Sequence, residues 1–315
     1  MRYIESFREG DNVNDVYLVK SKKSDVTKTG KPYDKVVLQD KTGSIDAMIW
    51  DPNSPGIDDF DVLDYVLVGG AVNVFMNANQ LNIKRVRKVS EGEYDPADYL
   101  PVSERNIDEM YSELLAYIET VRSSHLKALL SSFFIEDEEF IKAFKRSSAA
   151  KSVHHGFVGG LLEHTLSVTN MCNYYCSAYP MLRRDLLISV AMLHDIAKIY
   201  ELSDFPLNDY TDEGQLLGHI VMGSEMVGEH IREIEGFPKV LSSEVKHCIL
   251  AHHGELEFGS PKKPALMEAV ALHFADNTDA KMETMKELFN STNETGWLGF
   301  NKMLESNVRK TSAEE

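Results

Sequence analysis

Histidine and aspartate residues between positions 164 and 276 could together hold divalent metal ions. The chain has only 11 histidines among 315 residues. Imidazole suits zinc, iron, nickel or cobalt, and carboxylate suits magnesium or manganese. A His-Asp pair can serve one cluster if the carboxylate bridges two ions while the imidazole binds one of them. The candidate metal ligands occur in the order His164, His194, Asp195, His219, His252 and Asp276.

These candidates lie in segments whose apolar pattern predicts buried helices. His194 and Asp195 close the segment LLISVAMLHDIAKIY, and Asp276 interrupts MEAVALHFADNTDA. An ionised carboxylate in a buried position costs several kcal/mol unless it is paired or binds a metal. A hydrogen-bonded core role would explain His164 taken alone, but it does not explain the whole set. We therefore predict one metal centre inside a helical bundle.

Six ligand positions are enough for two ions bridged by Asp195. We predict that His164, His194, Asp195 and Asp276 surround one ion, and that Asp195, His219 and His252 surround the other. Lys198 lies one turn beyond the His-Asp pair, where it would hold a phosphate oxygen or neutralise developing charge, unless it is an ordinary surface lysine. His253 would complete a ligand set, bind phosphate or orient another ligand. The predicted catalytic residues are Asp195, Lys198 and His253.

A centre of this kind lowers the pKa of bound water and stabilises the attacking and leaving oxygens of a phosphodiester. The sequence contains no G-x-S-x-G motif and no triad-like grouping, so a protein nucleophile is not expected. It also contains no P-loop, which argues against ATP-driven chemistry. Hydrolysis by a metal-activated water is the predicted reaction.

Length and composition indicate two domains in a reducing compartment. The 315 residues are 43% hydrophobic and 26% charged, which is ordinary for a globular protein. No apolar run is long enough for a transmembrane helix, and the N-terminus lacks a signal-like apolar core. Three cysteines favour free thiols over a disulfide framework. We therefore expect a cytoplasmic protein that does not enter the membrane.

The N-terminal region has the pattern of a small β-barrel. Five short, turn-punctuated strands are predicted between residues 13 and 89. Residues 1–90 hold 13 basic and 13 acidic residues, so the net charge of −17 arises entirely from residues 91–315. Any nucleic-acid binding must therefore use local patches. Among the aromatic residues Tyr17, Tyr33, Trp50 and Phe75, at least two are expected in the barrel core. The predicted nucleic-acid contacts in this region are Lys20, Lys22, Lys23, Tyr33, Lys35, Trp50, Lys84, Arg85 and Arg87.

The rest of the chain is predicted to be helical. Residues 91–101 have the polar, proline-containing composition of a linker. Apolar residues recur at helical spacing from about residue 103 onward. The predicted organisation is a barrel domain (1–90), a linker (91–101), connecting helices (102–150), a metal-binding helical domain (151–285) and a frayed C-terminal tail (286–315).

Two resemblances sharpen these predictions. The ordered ligand set is similar to that of the HD superfamily of metal-dependent phosphohydrolases. The segment LQDKTGSIDAMIWD resembles strands 2 and 3 of OB-fold domains, and Gly69-Gly70 lies where strand 4 of such a domain would bend. The combination, with HHGFVGGLLEHTLSV leading into HDIAK, resembles the YhaM-type 3′-to-5′ exoribonucleases of Gram-positive bacteria. The fold class that follows is a small all-β OB-type barrel followed by an all-α HD-type helical bundle.

The YhaM resemblance implies trimming of single-stranded RNA, and in some cases DNA, from the 3′ end. It implies two divalent ions, with Mn²⁺ favoured and Fe, Co or Zn as alternatives. His154 and His155 lie in the family-like lead-in and are predicted to contact nucleic acid, although structural roles are as compatible with the pattern. A homo-oligomer is also expected.

Other classes of function remain open from the sequence. One is a DNA-binding protein that uses the OB domain and keeps the HD domain as a relic, although the intact ligand set argues against it. Another is an HD-type nucleotide or cyclic-dinucleotide phosphohydrolase that the OB domain regulates. A third is a di-iron oxygenase.

Overall fold

A computed structural model of the chain describes residues 1–75, 78–95, 98–151, 155–290, 292 and 294–312. It divides the protein into two compact units. The first comprises Met1–Val102 with Phe205–Leu207, and the second comprises Ser103–Asp204 with Asn208–Glu315. None of the helices in the described part of the chain has the length and apolar character needed to span a membrane.

The first unit contains five strands, namely β1 (Asn12–Val26), β2 (Pro32–Asp40), β3 (Gly43–Ile49), β4 (Tyr65–Phe75) and β5 (Ala78–Lys88). They form a closed barrel with the strand order β1-β2-β3-β5-β4. Strands β3 and β5 pair in parallel, and the other neighbouring pairs are antiparallel. The register of β4 against β5 shifts at Gly69/Gly70, where the sequence predicts a bend. This is the predicted small OB-type barrel.

Side-chain alternation fills the barrel with apolar residues and leaves polar ones outside. Val19, Leu38 and Leu81 are among the fully buried residues. Only Tyr17 of the four aromatic candidates is fully buried, so the prediction of at least two core residues among them is wrong. The buried Tyr17 hydroxyl donates a hydrogen bond to the Arg2 carbonyl, which satisfies its polar end.

Residues 91–101, predicted as a linker, contain aromatic side chains that pack on the barrel. The Tyr94 ring stacks on Tyr65 with centroids 3.8 Å apart, and Tyr99 meets the same ring edge-on. The Tyr99 carbonyl also accepts a hydrogen bond from Gln39. The polar composition of residues 91–101 predicted a linker, because composition does not show that the Tyr94 and Tyr99 rings pack against the barrel.

The second unit is helical and has one main core. The three helices predicted as connectors share this core with the later helices, so they are part of the bundle. In the helix that precedes His194, residues 186–193 are all buried, so this helix lies inside the core. The helices are α1 (Ile107–Thr120), α2 (Ser124–Phe134), α3 (Glu138–Arg146), α4 (Gly160–Ala178), α5 (Arg184–Leu193), α6 (Lys198–Glu201), α7 (Asp212–Leu216), α8 (Gly218–Glu233), α9 (Lys239–Ala251) and α10 (Met267–Asn290).

A β-hairpin lies in the segment predicted as a frayed tail. Strands β6 (Trp297–Asn301) and β7 (Ser306–Arg309) pair antiparallel. Val308 is buried, and the Lys310 ammonium donates to the carbonyl of Phe289 in the last turn of α10 and to that of Thr292 just beyond the helix. A lysine bound to the last carbonyls of a helix satisfies acceptors that have no partner within the helix. The hairpin is therefore fixed to α10.

Candidate metal centre

The predicted ligands converge from five parts of the helical unit. His164 lies in the first turns of α4, and His219 is the second residue of α8. His194 and His252 are the residues that follow α5 and α9, and Asp276 lies within α10. Residues far apart in sequence thus meet because the helices pack around one centre.

The first cluster gathers around the Nε2 atom of His164. This nitrogen lies 3.2 Å from His194 Nε2 and 3.3 Å from both Asp195 Oδ2 and Asp276 Oδ1. His194 Nε2 is 3.4 Å from the same Asp195 oxygen. The structure thus brings the donor atoms of these four side chains together, and their binding of one ion stays a prediction.

The second cluster faces the other oxygen of Asp195. His219 Nε2 lies 3.4 Å and His252 Nε2 lies 3.5 Å from Asp195 Oδ1. A ring nitrogen of His253 joins the same group. Asp195 therefore directs one carboxylate oxygen to each cluster.

Three buried polar atoms at this point have no hydrogen-bond partner among the described residues. They are Asp195 Oδ1, His219 Nε2 and His252 Nε2. Leaving a buried polar atom unsatisfied costs about 1–3 kcal/mol. A single cation would satisfy all three atoms at once, so the donor set fits a metal ion.

The other ring nitrogen of each ligand histidine is already engaged. Nδ1 of His194 and of His252 lies 2.8 and 2.7 Å from the carbonyls of Ala191 and Ile249, three residues earlier in each chain segment. Each histidine thus donates to a carbonyl in the last turn of its helix. This bond fixes the tautomer and leaves Nε2 free for a metal.

Two buried carboxylates perform the same task for the remaining histidines. Nδ1 of His219 lies 2.8 Å from Glu201 Oε1, and Nδ1 of His164 lies 2.7 Å from Asp279 Oδ2. Sequence analysis did not identify Glu201 or Asp279. The available signal for Asp279 was its position one turn after Asp276 on the same helix face.

Asp279 also holds His155 and Ser167. His155 Nε2 lies 2.9 Å from Asp279 Oδ2, and the Ser167 hydroxyl donates to Oδ1. His155 is only 2% exposed, so the structure contradicts its prediction as a nucleic-acid contact: it supports the centre from behind. A Cβ on Gly160 would lie 1.9 Å from the His155 carbonyl, so only glycine allows this approach. His154 lies outside the described residues.

Lys198 is close to the bridging carboxylate. Its ammonium lies 2.6 Å from Asp195 Oδ2. Burial alone would raise the pKa of Asp195, but Lys198 and His194 lower that pKa well below its usual range. Burial alone would lower the pKa of Lys198, but Asp195 raises it above its usual value. Both groups are therefore charged at neutral pH, and the lysine is placed to meet an anion.

The histidines differ in protonation. Burial lowers the pKa of His252, and burial together with His252 lowers the pKa of His253 to about 4. Burial would also lower the pKa of His164, but hydrogen bonds to Asp195, Asp276 and Asp279 raise it well above its usual value. A cation at Nε2 would take the place of that proton, since a metal requires neutral imidazole.

The barrel carries a separate exposed surface with an aromatic pair. The Tyr33 and Trp50 rings have centroids 5.6 Å apart, and Trp50 is 55% exposed. The Lys35 ammonium lies 5.5 Å from the Tyr33 ring centroid, and Lys23 pairs with Lys35 across β1 and β2. The other exposed basic candidates are Lys20, Lys84 and Arg85.

Two predicted nucleic-acid contacts are engaged within the barrel unit. The Lys22 ammonium donates to the Phe60 carbonyl at 2.8 Å and lies 3.9 Å from Asp34. Arg87 forms an ion pair with Glu93 at 2.7 Å. The structure does not support Lys22 as a nucleic-acid contact, because binding a phosphate would draw its ammonium away from the buried Asp34 carboxylate. Arg87 is half exposed, so an incoming phosphate would compete with Glu93.

Comparison with known proteins defines the family. The HD domain model matches residues 161–281. The 3′-5′ exoribonuclease YhaM of Bacillus subtilis is 36% identical over 280 residues, which cover 88% of this chain and 87% of that protein. The YhaM proteins of Bacillus velezensis and a Geobacillus species are 35% and 34% identical, covering 88% and 89% of this chain and 87% and 85% of theirs. The chain belongs to the YhaM family.

Solved structures similar to the barrel are less alike in sequence. The second OB-fold domain of replication protein A from Methanococcus maripaludis is 18% identical, with a TM-score of 0.24, covering 30% of this chain and 98% of that one. An SSB domain from Synechococcus is 14% identical, with a TM-score of 0.21, covering 26% and 96%. The strand order of the barrel itself defines its fold.

Proposed function

We propose that this protein is a 3′-to-5′ exoribonuclease that hydrolyses the phosphodiester bonds of single-stranded RNA with two divalent metal ions. One observation carries the chemistry: Asp195 presents its two oxygens to two separate histidine clusters. Membership of the YhaM family supports the substrate and direction. Single-stranded DNA is proposed as a second substrate.

The side chains of the centre have separable roles. When bound, two divalent ions lower the pKa of water and neutralise charge on phosphate oxygens. Asp195 would hold both ions in one geometry, while Lys198 would donate to a non-bridging phosphate oxygen and stabilise its negative charge. His253 Nδ1 already donates to the Phe258 carbonyl at 2.8 Å, so its other nitrogen would complete the second ligand set or accept a proton.

We propose Mn²⁺ as the resident metal. The donor set mixes imidazole nitrogens with carboxylate oxygens, which suits Mn²⁺ and also fits Fe, Co and Zn. The free thiols of Cys172 and Cys248 are buried in the helical core, which supports the proposed cytoplasmic location. We also propose a homo-oligomer, whose presence multi-angle light scattering would test.

The direct test of function compares substrates under one condition. Protein with Mn²⁺ is incubated separately with 5′-labelled single-stranded RNA, the matching DNA, a deoxynucleoside triphosphate and a cyclic dinucleotide. We expect a ladder of RNA shortened from the 3′ end, with release of nucleoside 5′-monophosphates, and no ladder with excess chelator. Consumption of the triphosphate or the cyclic dinucleotide while RNA stays intact would instead identify a nucleotide phosphohydrolase.

The barrel surface supports capture of the RNA strand. Lys23 and Lys35 pair across two strands. The Asp25 carboxylate lies close enough to interact with both lysines, but the pair still places two exposed ammonium groups beside the aromatic rings. Exposed aromatic rings beside basic residues bind single strands by stacking and by phosphate attraction. We infer that bases stack on Trp50 and Tyr33 while the backbone follows the lysines.

Substitution of Trp50 tests this surface. Trp50→Ala should raise KM for a long single-stranded RNA about 5- to 150-fold, the range for loss of one base–aromatic stack. KM for a dinucleotide should change little. Val74→Ala, another exposed apolar side chain of the barrel, is the matched control. An equal change in KM for both substrates would show that Trp50 has only a structural role.

A further inference from the structure

A cavity of about 460 Å³ opens beside the first cluster of the metal centre. Binding pockets for small molecules generally have volumes of about 300–1,000 Å³, so this one is near the smaller end and suits a single nucleotide. His164, Lys198 and Asp276 form part of its wall. A molecule in the cavity therefore lies within reach of both the metal ligands and the lysine.

Two apolar side chains with large exposed fractions contribute to the same wall. Phe258 ends the short 3-10 turn Leu256–Phe258 and is 64% exposed, and Met303 is 47% exposed. The Phe258 carbonyl accepts the hydrogen bond from His253 Nδ1, which ties this turn to the second cluster. Single exposed apolar residues are common on protein surfaces, but these two line one cavity together with the charged groups of the centre.

Met303 reaches the cavity because of the C-terminal hairpin. It lies between β6 and β7, where the backbone of Met303 donates to the Asn301 side chain. Lys310 fixes the hairpin to the end of α10. The hairpin thus contributes Met303 to the wall of the cavity.

Polar groups from α10 complete the wall. Asn277 follows Asp276 directly, and its amide offers both donors and an acceptor. His273 Nδ1 lies 2.9 Å from the His252 carbonyl. A Cβ on Gly254 would lie 2.4 Å from the His273 ring, so the glycine after His253 allows this ring to lie against the chain.

Resting on the exoribonuclease function proposed above, we propose that this cavity is the binding site for the 3′-terminal nucleotide of the substrate. The base lies against Phe258 and Met303, the ribose meets Asn277, and the scissile phosphate lies at Lys198 and the first cluster. Ring faces and a thioether accept any base, so the site recognises a free single-stranded end and tolerates every sequence.

The placement accounts for the products. Water attacks the phosphorus of the terminal nucleotide, and the bond from phosphorus to the O3′ of the preceding nucleotide breaks. That oxygen takes up a proton and becomes the new 3′-hydroxyl, and the second proton of the water is released. A nucleoside 5′-monophosphate remains in the cavity and must leave before the shortened strand can advance.

The test pairs a change in the enzyme with a matching change in the substrate. Two single-stranded RNAs are identical except that one has an abasic 3′-terminal nucleotide, and kcat/KM is measured for the first cleavage. For the wild type, loss of the base should lower kcat/KM about 5- to 150-fold. Phe258→Ala should lower kcat/KM on the intact RNA to a similar extent and should no longer distinguish the two. Phe300→Ala, at 65% exposure on β6, is the control and should match the wild type.

Binding of the product separates this proposal from the proposed function. Calorimetry with adenosine 5′-monophosphate should show weaker binding to Phe258→Ala than to the wild type or Phe300→Ala. If RNA is trimmed but Phe258→Ala retains the wild-type discrimination and binding, the cavity assignment is overturned and the exoribonuclease function stands. If RNA is not trimmed but Phe258→Ala still weakens binding of the monophosphate, the nucleotide site stands and the exoribonuclease function fails. Unchanged monophosphate binding without RNA cleavage overturns both.

Discussion

Asp195→Ala should abolish RNA trimming almost completely, with a fall in kcat of about a thousandfold or more. The side chain presents one oxygen to each histidine cluster, so its loss disrupts both candidate metal sites together. Loss of metal-assisted activation commonly removes several kcal/mol of transition-state stabilisation. RNA affinity should fall only severalfold, because the proposed strand-capture surface lies in the barrel unit.

The variant must be shown to fold, since Lys198 would lose its buried partner. Removing one member of a buried ion pair costs about 3–5 kcal/mol, so circular dichroism should accompany the kinetics. Asp195→Asn keeps the volume of the side chain and should be similarly inactive. Asp212→Ala, which removes an exposed carboxylate of α7, serves as the control. A folded Asp195→Ala protein that trims RNA near the wild-type rate would refute the assignment of this centre as catalytic.

The second large effect is expected at Asp279, a positioning residue behind the centre. Its carboxylate contacts His164 Nδ1, His155 and Ser167, so Asp279→Ala would free His164 to rotate or change tautomer. Loss of such outer hydrogen bonds typically costs about 10- to 100-fold in metal affinity. The dissociation constant for Mn²⁺, measured by competition with a metal-binding dye, should rise by that factor.

The dependence on metal concentration distinguishes positioning from direct ligation. Asp279→Ala should regain much of its activity at high Mn²⁺, whereas Asp195→Ala should not. Lys281→Ala, a substitution at an exposed position of the same helix, should leave metal affinity unchanged. Wild-type metal affinity in a folded Asp279→Ala protein would mean that this carboxylate only contributes to stability.

The ligand set could be predicted from sequence because its chemistry is local. Asp195 and Asp276 are carboxylates inside apolar helical segments, and this conflict between residue type and surroundings is visible without a structure. The order of the histidines then indicated the family. The division of the ligands between two ions followed from counting donors; the structure brings the six side chains together, and the division itself stays a prediction.

The supporting residues could not be predicted because they depend on tertiary packing. Asp279 reaches His164 only because α10 packs against α4, and the two residues are separated by 115 positions. His155 was predicted to contact nucleic acid, but it is buried and hydrogen-bonded to Asp279, which lies 124 positions away in the sequence. Met303 lies in a hairpin that composition presented as a tail. In each case the deciding contact joins distant segments, which local patterns do not encode.

Titration of metal-free protein with Mn²⁺ tests the central claim most directly. Bound metal and RNA-trimming activity are measured on the same samples as the ratio of metal to protein rises. A centre bridged by Asp195 predicts binding of two equivalents, with full activity reached only as the second equivalent binds. Full activity at one equivalent, with no further metal bound or no further gain from it, would contradict the two-ion centre and the bridging role of Asp195.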